Sequence, residues 1–142
     1  MKKTGKKRTV RDPMAWIRNM QSIPQSDVDA VVILNRSAFQ AIAKGAGDYD
    51  HLGVLAAAIE TGIELCKMGI GGNIENEMLE ALDKLASCQQ RANDDLKNHR
   101  VLFYGVEMEK IKEALNLHDQ QIQIATRGEL SRALMAVRAR IV

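Results

Sequence analysis

Over most of this chain, apolar residues recur every three to four positions, the spacing that gathers side chains on one face of an α-helix. Six segments follow that rule. Asp12-Pro13 reads as an N-cap followed by proline at the first helical position, opening a short helix from Met14 to about Gln21 that must end before Pro24. Ser26 or Asp27 caps the second segment, in which Val28, Val31, Val32, Asn35, Phe39 and Ile42 keep helical spacing and Gly45 is the stop. Taken alone, Val31-Val32-Ile33-Leu34 also suits a buried strand. The pattern continues through Ala43, and that length favours a helix.

Asp48 caps the third helix, whose stripe is Leu52, Leu55, Ala56, Ile59, Ile63 and Cys66, with Gly69 as its end. Gly53 and Gly62 lie inside it, each expected to weaken it by roughly 1 kcal/mol relative to alanine. Nine residues apart, they fall on opposite sides and form no common seam. Asn73 opens the fourth and longest helix, to about Asn98, with Ile74, Met78, Leu82, Leu85, Gln89, Ala92 and Leu96 alternating steps of four and three as in antiparallel bundles. Gln89 interrupts that seam, either to set register against a partner helix or because the core ends there. Val101-Leu102-Phe103-Tyr104 reads as an extended crossing ended by Gly105. The fifth helix carries Met108, Ile111, Leu115, His118, Ile122 and Ala125. Thr126-Arg127-Gly128-Glu129 matches a capping box that starts a last helix burying Leu130, Ala133, Leu134, Val137 and Ile141.

The predicted fold class is therefore all-α, a compact bundle of about six helices. Residues 13–142 form a single helical domain. Residues 1–12 are a basic leader without apolar periodicity, expected to be disordered because it buries too little to offset its ordering entropy. Composition agrees. The 142 residues suit one core, aromatics are only 4%, and proline occurs only at 13 and 24, which excludes a turn-rich β-sandwich.

Cys66 and Cys88 belong to no C-x-x-C pair and read as buried reduced thiols, although a disulfide between neighbouring helices stays open. No apolar region follows the basic start and no run of 18 apolar residues exists, so no membrane association and a cytoplasmic location are expected.

Charge changes the picture more than composition does. The formal net charge of +2 hides two basic ends around an acidic body. Lys2, Lys3, Lys6, Lys7, Arg8 and Arg11 stand against Asp12 alone, and Arg127, Arg132, Arg138 and Arg140 against Glu129 alone. These ten cations are the candidate macromolecule-binding residues. A mobile basic arm neutralises phosphates through counterion release, which suits nucleic acid, but the acidic body would oppose it, and a solvated tail or an interaction arm for an acidic protein has the same composition. Arg127 and Arg138 share a face of the last helix, with Arg132 and Arg140 to its sides. The helix dipole alone accounts for Arg138 and Arg140. A helix-turn-helix is weakly supported, since beyond the cap the last helix offers no Asn or Gln to read base edges.

Candidate chemistry is sparse. His118 lies in an apolar stripe without the neighbours a metal needs, so a core or boundary histidine holding one hydrogen bond is expected. His99 follows Asp95 by four residues, as an exposed helix-end pair, and His51 sits in the first turn after Asp48. Met68-Gly69-Ile70-Gly71-Gly72-Asn73 lacks the Lys and Ser/Thr of a phosphate loop and reads as a turn. Neither cysteine has a local base or cation aimed at it. The expectation is no enzyme, no cofactor and no metal.

The basic leader, Asp12-Pro13, Phe103-Tyr104-Gly105, His118-Asp119-Gln120-Gln121 and Thr126…Glu129…Ala133-Leu134 together resemble small uncharacterised helical proteins of bacterial prophages and mobile elements, over most of the chain after the leader. The resemblance implies an accessory protein acting on host or mobile-element machinery and carries no activity with it. The leading expectation is a non-catalytic helical binding protein, a phage-associated regulator or inhibitor working through protein–protein contacts. The alternatives are a nucleic-acid-binding protein using the leader and last helix, and a structural homodimer packed through the Gln89-bearing helix.

Overall fold

The longest apolar stripe of the chain becomes the axis of the fold, because a helix with nine buried residues needs neighbours on several sides. In the computed structural model, which describes residues 14–141, the order is α1 (Ala15–Met20), α2 (Gln25–Ala43), α3 (Tyr49–Lys67), a 3-10 turn (Gly72–Ile74), α4 (Glu75–Asp94), α5 (Gly105–Ile124) and α6 (Arg127–Ile141). The protein is an all-α bundle of six helices with no strand among the described residues. Helix α3 packs against α2, α4, α5 and α6. The leader and the Asp12-Pro13 helix start lie outside the described residues.

Two clusters form the interior. The larger joins Phe39 and Ile42 of α2, Leu55 and Ile59 of α3, Met78 and Leu85 of α4, and Ile111 and Leu115 of α5. The smaller, Leu65, Ile70, Ala125 and Ala133, seats α6 against the end of α3. Ala125, at the start of this link, is followed by the expected capping box: Thr126 N–H donates to Glu129 Oε1 at 2.8 Å, and Glu129 N–H to Thr126 Oγ1 at 3.2 Å. Arg127 N–H donates to the Gln21 carbonyl at 2.9 Å, tying the α1–α2 link to the start of α6.

Several boundaries differ from the sequence reading, each for a local reason. Helix α2 starts one residue after Pro24, not at Ser26 or Asp27. The Pro24 carbonyl accepts from the N–H groups of Asp27 and Val28, and Asp27 instead places its charge in the positive first turn. Val31 to Leu34 are helical, with Ile33 and Leu34 exposed. Helix α4 is entered through the 3-10 turn, without a cap from Asn73, and ends at Asp94 rather than near Asn98. There the Asp95 carboxylate accepts from the N–H groups of Asn98 and Arg100, which turns the chain away and leaves Leu96 in solvent. His99, expected as an exposed partner of the Asp95 side chain, instead aims its ring at the Ala92 carbonyl and Tyr49.

The seam of α4 is Met78, Ala81, Leu85, Cys88 and Ala92. Its phase passes through Cys88, so Gln89 is exposed and lies outside the packed seam of the bundle. Gly105 begins α5 instead of ending the preceding run. Leu134, expected in the core, is 40% exposed because α6 faces α3 through Ala133 and Val137.

The two glycines of α3 are not equivalent. A Cβ on Gly62 would lie 2.9 Å from Gln121 Oε1 and 3.1 Å from Met78 Sδ, whereas one on Gly53 would meet nothing within 4 Å. Gly62→Ala is expected to destabilise the protein by about 1–3 kcal/mol through overpacking. Gly53→Ala should stabilise it by up to about 1 kcal/mol through helix propensity. Urea denaturation midpoints check both, and equal shifts in the two variants would contradict the close approach at Gly62.

Candidate functional site

Helix α5 delivers two adjacent turns of polar side chain into the interior. Gln121, 2% exposed, donates from Nε2 to the carbonyls of Gly62 and Ile70, both at 3.0 Å, with Cys66 Sγ at 3.3 Å. Its Oε1 is thereby left as an acceptor, and His118 Nδ1, one helical turn earlier, lies 3.0 Å from it. His118 Nδ1 must therefore carry the proton, and Nε2 is a bare acceptor. Burial holds the imidazole pKa below its ordinary value, against the smaller opposing pull of the Gln121 bond and the Asp119 charge. His118 is thus the core histidine that the sequence suggested, with one hydrogen bond. Its Nε2 has no partner among the described residues.

That ring forms part of the floor of a trough. Helix α2 contributes Val31, Leu34 and Asn35; α3 contributes Gly53, Val54, Ala57 and Thr61 to the opposite side; α5 adds Ile122 and α6 closes one end with Leu130 and Leu134. The volume is about 480 Å³. Thr61 Oγ1 is committed to the Ala57 carbonyl at 2.6 Å. Asn35 is different: it is 3% exposed and its Nδ2 has no partner. Across Leu130 and Leu134 the trough adjoins a second depression of about 320 Å³, lined by Ile23, Pro24, Asp27, Met135, Arg127 and Arg138.

The four cations of α6 go to three places. Arg127 and Arg138 flank that second depression, as their shared face implied. Arg132 borders a separate hollow with Asn19, Met20 and Glu129. Arg140 is already engaged, donating to Glu64 Oε2 at 2.6 Å and standing 3.5 Å from Glu60 Oε1, so it staples α6 to α3. Its bond to Glu64 is the main reason that the Glu64 carboxyl sits below its ordinary pKa. Arg127, Arg132 and Arg138 form no ion pair among the described residues. Lys2, Lys3, Lys6, Lys7, Arg8 and Arg11 lie outside the described residues.

Elsewhere the ionisable groups serve the fold. Arg91 makes a two-pronged bond to Glu107, both contacts at 2.6 Å, donates to the Leu102 carbonyl at 2.8 Å and covers the Tyr104 ring. Burial pushes the Glu107 carboxyl up, but the Arg91 bond, the Tyr104 N–H and the charges of Arg91 and Lys84 outweigh it and hold the pKa low. Cys66 and Cys88 are free, each donating its S–H to a backbone carbonyl, at Gly71 and Leu102; burial raises both thiols above their ordinary pKa. His51 completes the α3 cap by accepting from Asp48 N–H. Among the described residues, no cluster of three or more His, Cys, Asp or Glu could hold a metal, and no helix is long and apolar enough to cross a membrane.

No family model, curated protein or solved structure matches this chain. The site therefore has to be read from its own geometry. The sequence reading missed Asn35 and Gln121 as site residues. A signal existed in each case: Asn35 is polar within an apolar stripe, and Gln121 lies three residues after His118.

The low pKa of His118 fixes the sign of a pH effect. The unfolded chain takes up a proton near 6.5 that the folded protein refuses, so stability is full above that pH and falls as pH drops below it. Glu107, also depressed, adds a further loss below about 4.5. Urea midpoints should fall between about pH 7.5 and pH 5.5, and the fall should be smaller in His118→Gln, which keeps a donor for Gln121. An unchanged slope in that variant would contradict a buried neutral imidazole.

Proposed function

We propose that this protein is a non-catalytic binding protein whose trough between α2 and α3 receives an apolar, acid-flanked segment of a partner protein, one face of an amphipathic helix. The observation that carries this reading is the pairing of an open apolar trough with unpaired cations on one lip. Leu34 and Leu134 in its lining are 56% and 40% exposed, and Met135 in the adjoining depression is 65% exposed, an apolar edge that gains by being covered. Arg127 and Arg138 beside them favour carboxylates on the incoming segment, which gives orientation and on-rate. Helix-in-groove recognition has this division of labour.

In this reading the protein acts as a regulator or inhibitor of host or mobile-element machinery, as the resemblance to phage proteins implies. We place it in the cytoplasm, where a reducing environment keeps Cys66 and Cys88 as the thiol donors that their carbonyl partners require. A second reading, binding of nucleic acid, draws on the three α6 arginines without ion pairs together with the basic leader.

The test is affinity recovery from bacterial cells with intact protein, a form lacking residues 1–12, Leu134→Asp and Arg138→Glu. The intact and leader-deleted forms should recover the same partner. Leu134→Asp should reduce recovery at least about tenfold, the effect expected of removing a central apolar anchor. Equal recovery by Leu134→Asp and the intact form would overturn the reading. Titration of labelled duplex DNA and RNA at two salt concentrations tests the second reading, which requires binding that weakens steeply with salt.

A further inference from the structure

We infer that the trough floor is a recognition pocket for a neutral aromatic group tipped with a hydrogen-bond donor, and that the partner's anchoring residue is a tyrosine or tryptophan. This inference rests on the proposed binding of a protein segment in the trough and names the side chain that enters it. The polarity of the trough floor is set by Gln121. Because its Nε2 is engaged by two carbonyls, its Oε1 compels His118 to donate from Nδ1, and the free Nε2 of a residue only 2% exposed is left to accept. His118 lines the trough, so a group entering there meets an acceptor whose tautomer the protein has already set. Asn35, on the facing helix, also lines the trough, but its unpartnered Nδ2 is itself buried, which leaves His118 Nε2 as the acceptor that decides the fit.

The remaining surface decides what the group must otherwise be. Val31, Val54, Ala57 and Ile122 give it apolar walls, and the volume falls in the range of roughly 300–1,000 Å³ typical of small-ligand sites. A wholly aliphatic anchor would fill the walls but leave His118 Nε2 without a partner once water is excluded. A carboxylate or phosphate would bring a second acceptor against the His118 lone pair. An ammonium would need an anion beside it, but Asp119 does not line the trough and its Oδ2 is held by Arg36 at 2.8 Å, and Asp50, the one acid lining the trough, is exposed. A phenol O–H or an indole N–H satisfies the acceptor and the walls together. Such rings are also the residues most enriched at the centres of protein interfaces. The flanking Arg127 and Arg138 then meet acidic neighbours of that anchor.

The experiment uses 4-methylphenol, 3-methylindole and toluene as probes, titrated into the full chain and followed by NMR of the His118 ring and the Val54 and Leu134 methyl groups. The first two should bind at least about fivefold more tightly than toluene, the margin expected of one buried hydrogen bond. His118→Phe should erase that preference while toluene still binds. Gly53→Leu, placed where an added Cβ meets nothing within 4 Å, fills the trough from α3 and should abolish binding of all three, which keeps the test valid if His118→Phe fails to fold. Equal binding of toluene and 4-methylphenol to the intact protein would overturn the inference. So would binding that survives Gly53→Leu. If the donor-tipped rings are not preferred but Leu134→Asp still loses the partner, this inference fails and the proposed function stands. If the rings are preferred but partner recovery is indifferent to Leu134→Asp, the assignment to a partner's side chain is overturned together with that function.

Discussion

The buried amide of Gln121 is the constraint on which the rest of the bundle depends. Its two donors reach the Gly62 carbonyl within α3 and the Ile70 carbonyl after it, so one side chain from α5 sets both the closeness of the helices and the path of the chain leaving α3. Gly62 permits that approach by having no side chain. The arrangement is demanding, because an amide at 2% exposure leaves any lost partner without water to replace it. It is also directional, since satisfying the donors dictates what the oxygen must do.

That direction passes to the surface through His118. A histidine in an apolar stripe has two tautomers available, and its neighbours decide between them. Here the choice leaves the unused nitrogen as an acceptor on a residue in the floor of the trough, which Asn35 also lines. Polar atoms at the base of an apolar groove are unfavourable in an isolated protein and become favourable when a complementary group covers them. The same logic separates the arginines. Arg36, Arg91 and Arg140 are held by carboxylates and stabilise helix packing, while Arg127, Arg132 and Arg138 remain unpaired among the described residues.

The clamp around Glu107 shows the other use of buried charge. Arg91 at the end of α4 grips Glu107 at the start of α5 while holding the Leu102 carbonyl and the Tyr104 ring. With Val101 bridged to Gly47 and the Phe103 ring tilted against Phe39 at 5.3 Å between centroids, the crossing between α4 and α5 is fastened at two further points. A carboxylate at 6% exposure is tolerated because the guanidinium and a backbone N–H satisfy it.

The all-α class, the α3 and α6 caps, and the stripes of α3 and α5 were legible in the sequence, because caps and periodicity are local properties that act within a few residues. Boundaries at Pro24 and Asp94 were less legible, since they turn on which carbonyl or carboxylate captures a neighbouring N–H. The phase of α4 was ambiguous: Ala81 and Cys88 fit a seam as well as Leu82 and Gln89, and the faces that α3 and α5 present decided for the former pair. The trough lay beyond sequence reasoning altogether. Asn35, Gly53, His118 and Leu134 come from four helices and converge only through packing, and the state of His118 depends on a carbonyl 59 residues from Gln121. Sequence determined which segments are helical and where the cations lie; tertiary structure alone decided which of those groups remain unpaired, because pairing is a matter of distance in space.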